Sequence, residues 1–284
     1  MSTPRTDIGL PVGGASGKAL LVGPNESTGH ATIQDAINAA REGDTIFVQP
    51  GEYDENLTVE TDYLTIVGAQ LGGYGRPDVG ATAGVSLVVT AQGFVCKRMR
   101  FASQDGDDCV RQEGNGYRYD DVVFDDASDA GKAGLRLKGN ADDDSFTASE
   151  GVVEPNCLFR GCANGILFDT GDAPGNGVGV THCVIGGRFI DNTIDLATAD
   201  TGLGVYSIQD TLIDGCRFLD KNKAVYIDFT TSNGGAAGDQ NGMIANCFFA
   251  TDAITTTNIA IVGTGFTVVG CYDTVGVQDG SGLD

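Results

Sequence analysis

Residues 31–69 read ATIQDAINAAREGDTIFVQPGEYDENLTVETDYLTIVGA, a short amphipathic helical pattern that runs straight into strand-like runs separated by tight turns. Thr32 stands just ahead of Asp35 in a capping-box-like spacing, and Ile33, Ala36, Ile37 and Ala40 fall on one helical face. That face must cover something apolar. The spacing predicts a helix over about residues 32–42, ended by Gly43, and a turn at Pro50–Gly51. Thr45–Val48, Leu57–Val59 and Leu64–Val67 are β-branched runs of strand length. Open sheet ends invite pairing with other chains, so a helix laid over the first run is an expected protective device.

Downstream the chain repeats itself loosely. The runs VCKRMRF, YDDVVF, PNCLF, VIGGRF, LIDGCRF and MIANCFF end at Phe101, Phe124, Phe159, Phe189, Phe218 and Phe249, about 23 to 35 residues apart, within the range of solenoid repeats. After most of them a polar turn leads to a second apolar run: GILFD at 165–169, NTIDLAT at 192–198, KAVYIDF at 223–229 and NIAIVG at 258–263. Alternation within these runs points one side chain in and the next out, and stacked coils bury a core that none could bury alone. The six phenylalanines are therefore expected to form one buried ladder. Cys157, Cys216 and Cys247 each precede an aligned Phe by two residues and should point inward with it, as free thiols filling the core.

The opening stretch resembles the first coil of right-handed parallel β-helix families such as pectinesterases and pectate-lyase-like enzymes, in which a helix of the type TIQxAIxxAxxGD caps the solenoid. A PGxYxEN turn and an LTIxG strand follow it there. The resemblance implies an all-β right-handed parallel β-helix with a short N-terminal capping helix. It carries less about activity, because catalysts and inert structural proteins share the architecture.

Residues 31–284 are expected to form one β-helix domain, preceded by an extended arm over residues 1–30. The arm holds two small apolar clusters, Ile8–Leu10 and Ala19–Val22, so Ile8, Leu10, Leu20, Leu21 and Val22 are expected to dock on a partner. A formal net charge of −22 and the scarcity of lysine argue against nucleic acid and anionic membranes as partners. No apolar run approaches the length of a membrane span. Such an acidic surface resembles that of proteins working in high salt, where screening removes self-repulsion. The start of the chain lacks the basic-then-apolar pattern of an export signal.

Several fragments carry catalytic residue types. Gln209-Asp210-Thr211-Leu212 is identical to the QDTL motif of pectinesterases, and Asp228, about one coil later, resembles that family's second Asp. The resemblance implies one acid/base and one nucleophilic carboxylate. The family's Arg-Pro-Trp is missing, for the chain has no Trp, and its only Arg-Pro, Arg76-Pro77, lies upstream. The fragment Gln104–Val110 resembles the paired-Asp motif of polygalacturonases, without the flanking motifs of that family. Pectate-lyase-like chemistry would need calcium on oxygen donors, for which Asp105, Asp107, Asp108, Asp142, Asp143 and Asp144 are the candidates; neither run has EF-hand spacing, and no metal site is expected.

With no complete catalytic set, the sequence leads to a non-enzymatic structural protein of a virus particle. It would be a decoration protein, spike or short fibre at the particle surface, without cofactors, and homotrimeric as the resemblance implies. Residues 1–30 would anchor it to a capsid or other virion protein, and a host glycan is a further expected ligand. The alternative is a carbohydrate-active β-helix enzyme, extracellular or at a cell surface, with Gln209, Asp210 and Asp228 at its site.

Overall fold

The computed structural model describes residues 17–23, 29–69, 75–138, 148–169, 180–199, 208–219, 227–229, 242–250, 259–261, 266–273 and 277–278. Three long sheets run along one axis, and successive coils add a strand to each in turn. Sheet A takes Ala19–Val22, Thr45–Val48, Thr65–Gly68, Val95–Lys97, Arg118–Asp120, Val152–Val153, Val184–Ile185, Thr211–Asp214, Gly242–Ala245 and Phe266–Val269. Sheet B takes the strands that follow them, from Glu52–Tyr53 through Arg100–Ser103, Val123–Asp125, Leu158–Arg160, Arg188–Ile190, Arg217–Phe218 and Phe248–Phe249 to Cys271–Asp273. Sheet C takes the run GILFD, within Asn164–Asp169, and most of NTIDLAT, in Ile194–Ala199, and continues to Ile227–Phe229 and Ile259–Ile261. Pairing is parallel throughout these strands, and Val277–Gln278 closes sheet B antiparallel to Cys271–Asp273. The chain is a right-handed parallel β-helix.

The helix is Ile33–Ala39, three residues shorter at its C-terminal end than the spacing predicts. Ala40 is already extended, and Gly43 takes up a left-handed φ of 78° before the first long strand. Thr32 Oγ1 accepts the N–H of Asp35 at 3.1 Å. The Glu55 carboxylate of the PGEYDEN turn accepts those of Ile33 and Gln34 at 2.9 Å. Three amides that the helix itself leaves unpaired are thereby satisfied, two of them by the next coil. Ile33, Ala36 and Ile37 are buried against the core.

The arm expected over residues 1–30 is corrected by its own second cluster. Ala19–Val22 is the first strand of sheet A, paired in register with Thr45–Val48, and Leu20 and Val22 are core residues with Leu21 half-buried on the other face. Leu20 and Val22 are therefore core residues and not a docking surface for another protein. Four alternating residues cannot make a core of their own, but they can join the edge of a sheet that already exists. Ile8 and Leu10 lie outside the described residues.

Parallel register places each side chain on its equivalent one coil away. Phe101, Phe124, Phe159, Phe189, Phe218 and Phe249 occupy one inner row and are buried, as expected. The last five rings stack with centroids 4.6, 4.9, 5.1 and 4.8 Å apart. All eight cysteines are buried and free. Burial pushes the Cys96 and Cys109 thiols well up and Cys157 up to about 12, so they are protonated packing groups.

The corners between sheets are single left-handed residues that also stack. Tyr63, Gly93, Gly116, Glu150, His182 and Asp210, with φ between 48° and 70°, lead into successive strands of sheet A. Arg98, Asp121, Gly215, Asn246 and Gly270 turn out of it, and Asp126, Gly161 and Asp191 turn out of sheet B. Asp, Asn and Gly tolerate this region best, which accounts for the glycines, for Asn246 and for Asp121, Asp126, Asp191 and Asp210 at these corners.

Phe189→Ala, in the middle of the stack, is expected to cost about 3 to 5 kcal/mol, read as a lower midpoint in denaturant. A loss under about 1 kcal/mol would show that the ring stack does not hold the coils together. Removing residues 1–23 is expected to lower the midpoint as well, since it uncovers Ile46, Val48 and the apolar face of the helix. An unchanged midpoint would exclude Ala19–Val22 from the cooperative unit.

Candidate functional site

Asp105, Asp107 and Asp108 each serve a different structural partner and do not converge on a shared cation. Asp105 accepts the N–H groups of Gly84 and Asp107 and the hydroxyl of Ser103, and the backbone donors hold its carboxyl below the usual range. Asp107 is pushed up by partial burial, but Lys132 at 2.7 Å and the N–H of Asp108 bring it below its ordinary value. Asp108 is fully buried, accepting from Ala133 N at 2.8 Å and Arg136 Nε at 2.7 Å. Among the described residues no cluster of His, Cys, Asp or Glu has a metal-binding arrangement. Asp142, Asp143 and Asp144 lie outside the described residues.

The structure separates the two aspartates of the pectinesterase-like fragment. Asp210 is the corner residue ahead of Thr211–Asp214 in sheet A, whereas Asp228 lies in Ile227–Phe229 of sheet C, between Ala197 and Ala260 in register. They belong to different faces of the solenoid. Gln209 precedes Asp210 in a two-residue strand, Ile208–Gln209, that pairs with Val180–Thr181.

What the structure brings to Asp210 is His182, the equivalent corner one coil earlier. His182 Nε2 lies 3.5 Å from Asp210 Oδ2, with side chains 61% and 58% exposed. Glu150 is the corner one coil before that, so Glu150, His182 and Asp210 form a column of ionisable residues along the edge of sheet A. Beside it runs the outer row Val152, Val184, Leu212 and Met243, an apolar strip whose Val184 and Met243 are exposed. Arg118, next in the same row, pairs with Glu154 at 2.6 Å. Sequence reasoning missed this grouping because Glu150, His182 and Asp210 share no local motif. The signal was their common offset, two residues ahead of the outward residues Val152, Val184 and Leu212.

A second charged cluster lies on sheet B. Asp125, 1% exposed, accepts Arg100 Nη2 at 2.8 Å and Arg160 Nε at 2.9 Å, and Arg100 also pairs with Asp78. Desolvation pushes the Asp125 carboxyl up, but the two guanidinium groups more than offset it and hold it below the ordinary range. These pairs bridge neighbouring coils.

No family model and no curated protein matches the chain. Solved structures do. Pectate lyase Pel9A superposes with a TM-score of 0.53 at 12% identity, over 92% of this chain and 78% of that one. The Escherichia coli protein YbhC gives 0.52 at 10% identity, over 95% and 88%. The pectin methylesterase of Aspergillus niger gives 0.43 at 14% identity, over 95% and 88%. At these identities the likeness shows the fold. The expectation of a non-enzymatic virion protein is corrected here: the neighbour that shares this architecture at a TM-score of 0.53 is a pectate lyase, and none of the three is a virion protein. It rested on the incompleteness of local motifs, which in this fold do not report which residues of neighbouring coils meet.

A carboxylate with a lowered pKa stabilises the fold above its unfolded value and loses that contribution as pH falls through the folded one. Asp125→Asn is therefore expected to lower the thermal midpoint at neutral pH, and the gap from wild type should close below about pH 4. A gap independent of pH would show that the carboxylate charge is not what holds Arg100 and Arg160.

Proposed function

We propose that this protein is a carbohydrate-active β-helix enzyme that binds a polysaccharide along sheet A and works on it with His182 and Asp210 as an acid–base pair. The observation that carries the reading is the exposed His182–Asp210 pair, 3.5 Å apart, beside the apolar outer row of the same sheet. A carboxylate next to an imidazole orients the ring, and an imidazole so held can take up a proton from a sugar carbon or from water. The strip Val152, Val184, Leu212 and Met243 supplies a flat apolar bed for the faces of sugar rings. The architecture shared with pectate lyase Pel9A supports a polysaccharide substrate, and with it an extracellular or cell-surface place of action. The buried thiols carry no objection, since none of the described cysteines is offered to an oxidant.

The test is a screen of polygalacturonate, its methyl ester, alginate and a neutral glucan. Reducing ends mark hydrolysis, methanol marks ester cleavage, and an unsaturated sugar end marks proton abstraction followed by elimination. Asp210→Asn and His182→Asn keep residues that tolerate the left-handed corner, and each is expected to slow turnover by about 10²- to 10⁴-fold with an unchanged melting midpoint. A wild-type protein inactive on every substrate, or an Asp210→Asn variant at full rate, would overturn the reading.

A further inference from the structure

The outer face of sheet B changes character along the solenoid. Its strand arginines Arg100 and Arg160 are tied to Asp78 and Asp125, and the strand arginines of the other sheets, Arg111, Arg118 and Arg136, also have acid partners. Arg188 and Arg217 differ. They stand side by side in register on the next two coils, exposed, and neither makes an ion pair among the described residues. The same outward row continues into Phe248 and the exposed Tyr272, whose ring centroids are 5.3 Å apart, and the Arg217 guanidinium lies 6.0 Å from the Phe248 centroid. From Arg188 to Tyr272 the row holds no acidic residue.

We propose that this row, Arg188–Arg217–Phe248–Tyr272, is a binding site for a carboxylated polysaccharide strand lying along the solenoid axis. Rungs of a parallel sheet recur every 4.7–4.9 Å, a distance comparable with the length of one sugar unit. Two adjacent guanidinium groups can thus meet carboxylates on successive sugars, and the two rings can stack on the sugars that follow. Guanidinium–carboxylate pairs are charge-assisted and bidentate, which selects an anionic over a neutral chain. A net charge of −22 repels polyanions from the molecule as a whole, so such a ligand is held where the acid partners are missing from the row. The strip lies on a different sheet from the His182–Asp210 pair. The inference rests on the carbohydrate reading for its ligand class and on its own residues for its place.

The experiment measures binding by the full chain, at fixed ionic strength, to polygalacturonate, its fully methyl-esterified form, dextran and a single-stranded oligonucleotide. Polygalacturonate is expected to bind, the ester at least about tenfold more weakly, with dextran and the oligonucleotide weaker than either. Arg188→Ala and Arg217→Ala should each weaken polygalacturonate binding by about tenfold or more, and Tyr272→Ala by a smaller factor. Asp210→Asn should bind like wild type while losing turnover, which separates the two sites. Equal affinity for the ester, undiminished binding by both arginine variants, or tighter binding of the oligonucleotide would overturn the proposal. Turnover without measurable polygalacturonate binding would overturn it while leaving the function of sheet A standing.

Discussion

In-register parallel pairing is the constraint on which everything else in this molecule depends. Once Phe124 lies on Phe159 and Phe159 on Phe189, each other residue of a coil is fixed above its equivalent, because the side-chain period along a strand leaves no half-steps. The ring stack cannot tolerate small changes around it. A Cβ on Gly165 would sit 2.8 Å from the Phe189 ring and 2.5 Å from the Asp195 carbonyl, so the smallest residue is required where sheet C passes behind the stack. Corners obey the same rule, and a left-handed residue recurs at the equivalent position ahead of Thr65–Gly68, Val95–Lys97, Arg118–Asp120, Val152–Val153, Val184–Ile185 and Thr211–Asp214.

The same register decides what charge does here. Asp78, Arg100, Asp125 and Arg160 alternate from coil to coil, as do Asp108, Arg136 and Asp169, so oppositely charged groups clip neighbouring coils. Because Asp108 and Asp125 are buried, loss of an arginine would strand a desolvated carboxylate, which is costlier than losing a surface pair.

The architecture was legible in the sequence because it depends on recurrence. The helix cap, the PGEYDEN turn and the six phenylalanines could all be aligned by eye, and each lies where the alignment puts it. The first strand was not legible, since Ala19–Val22 is a short apolar cluster among Gly, Ser and Pro and becomes a strand only against Thr45–Val48. Site residues were least legible. Asp210 is singled out by a local tetrapeptide and set with Asp228 by resemblance to the pectinesterase motifs, whereas register sets it beside His182.

That last error shows where function must be sought in a solenoid. A motif in a compact enzyme gathers its residues along one loop, but here residues close in sequence diverge onto three sheets and residues one coil apart converge. The informative unit is therefore the column, and the informative columns are those that depart from what packing requires. The corner column needs only a left-handed residue, so Asn, Asp or Gly would suffice throughout, and a glutamate followed by a histidine facing an aspartate exceeds that need. Likewise, an outward row needs only solubility, for which charged pairs suffice. Two arginines that make no ion pair among the described residues, followed by Phe248 and the exposed Tyr272, go beyond that need.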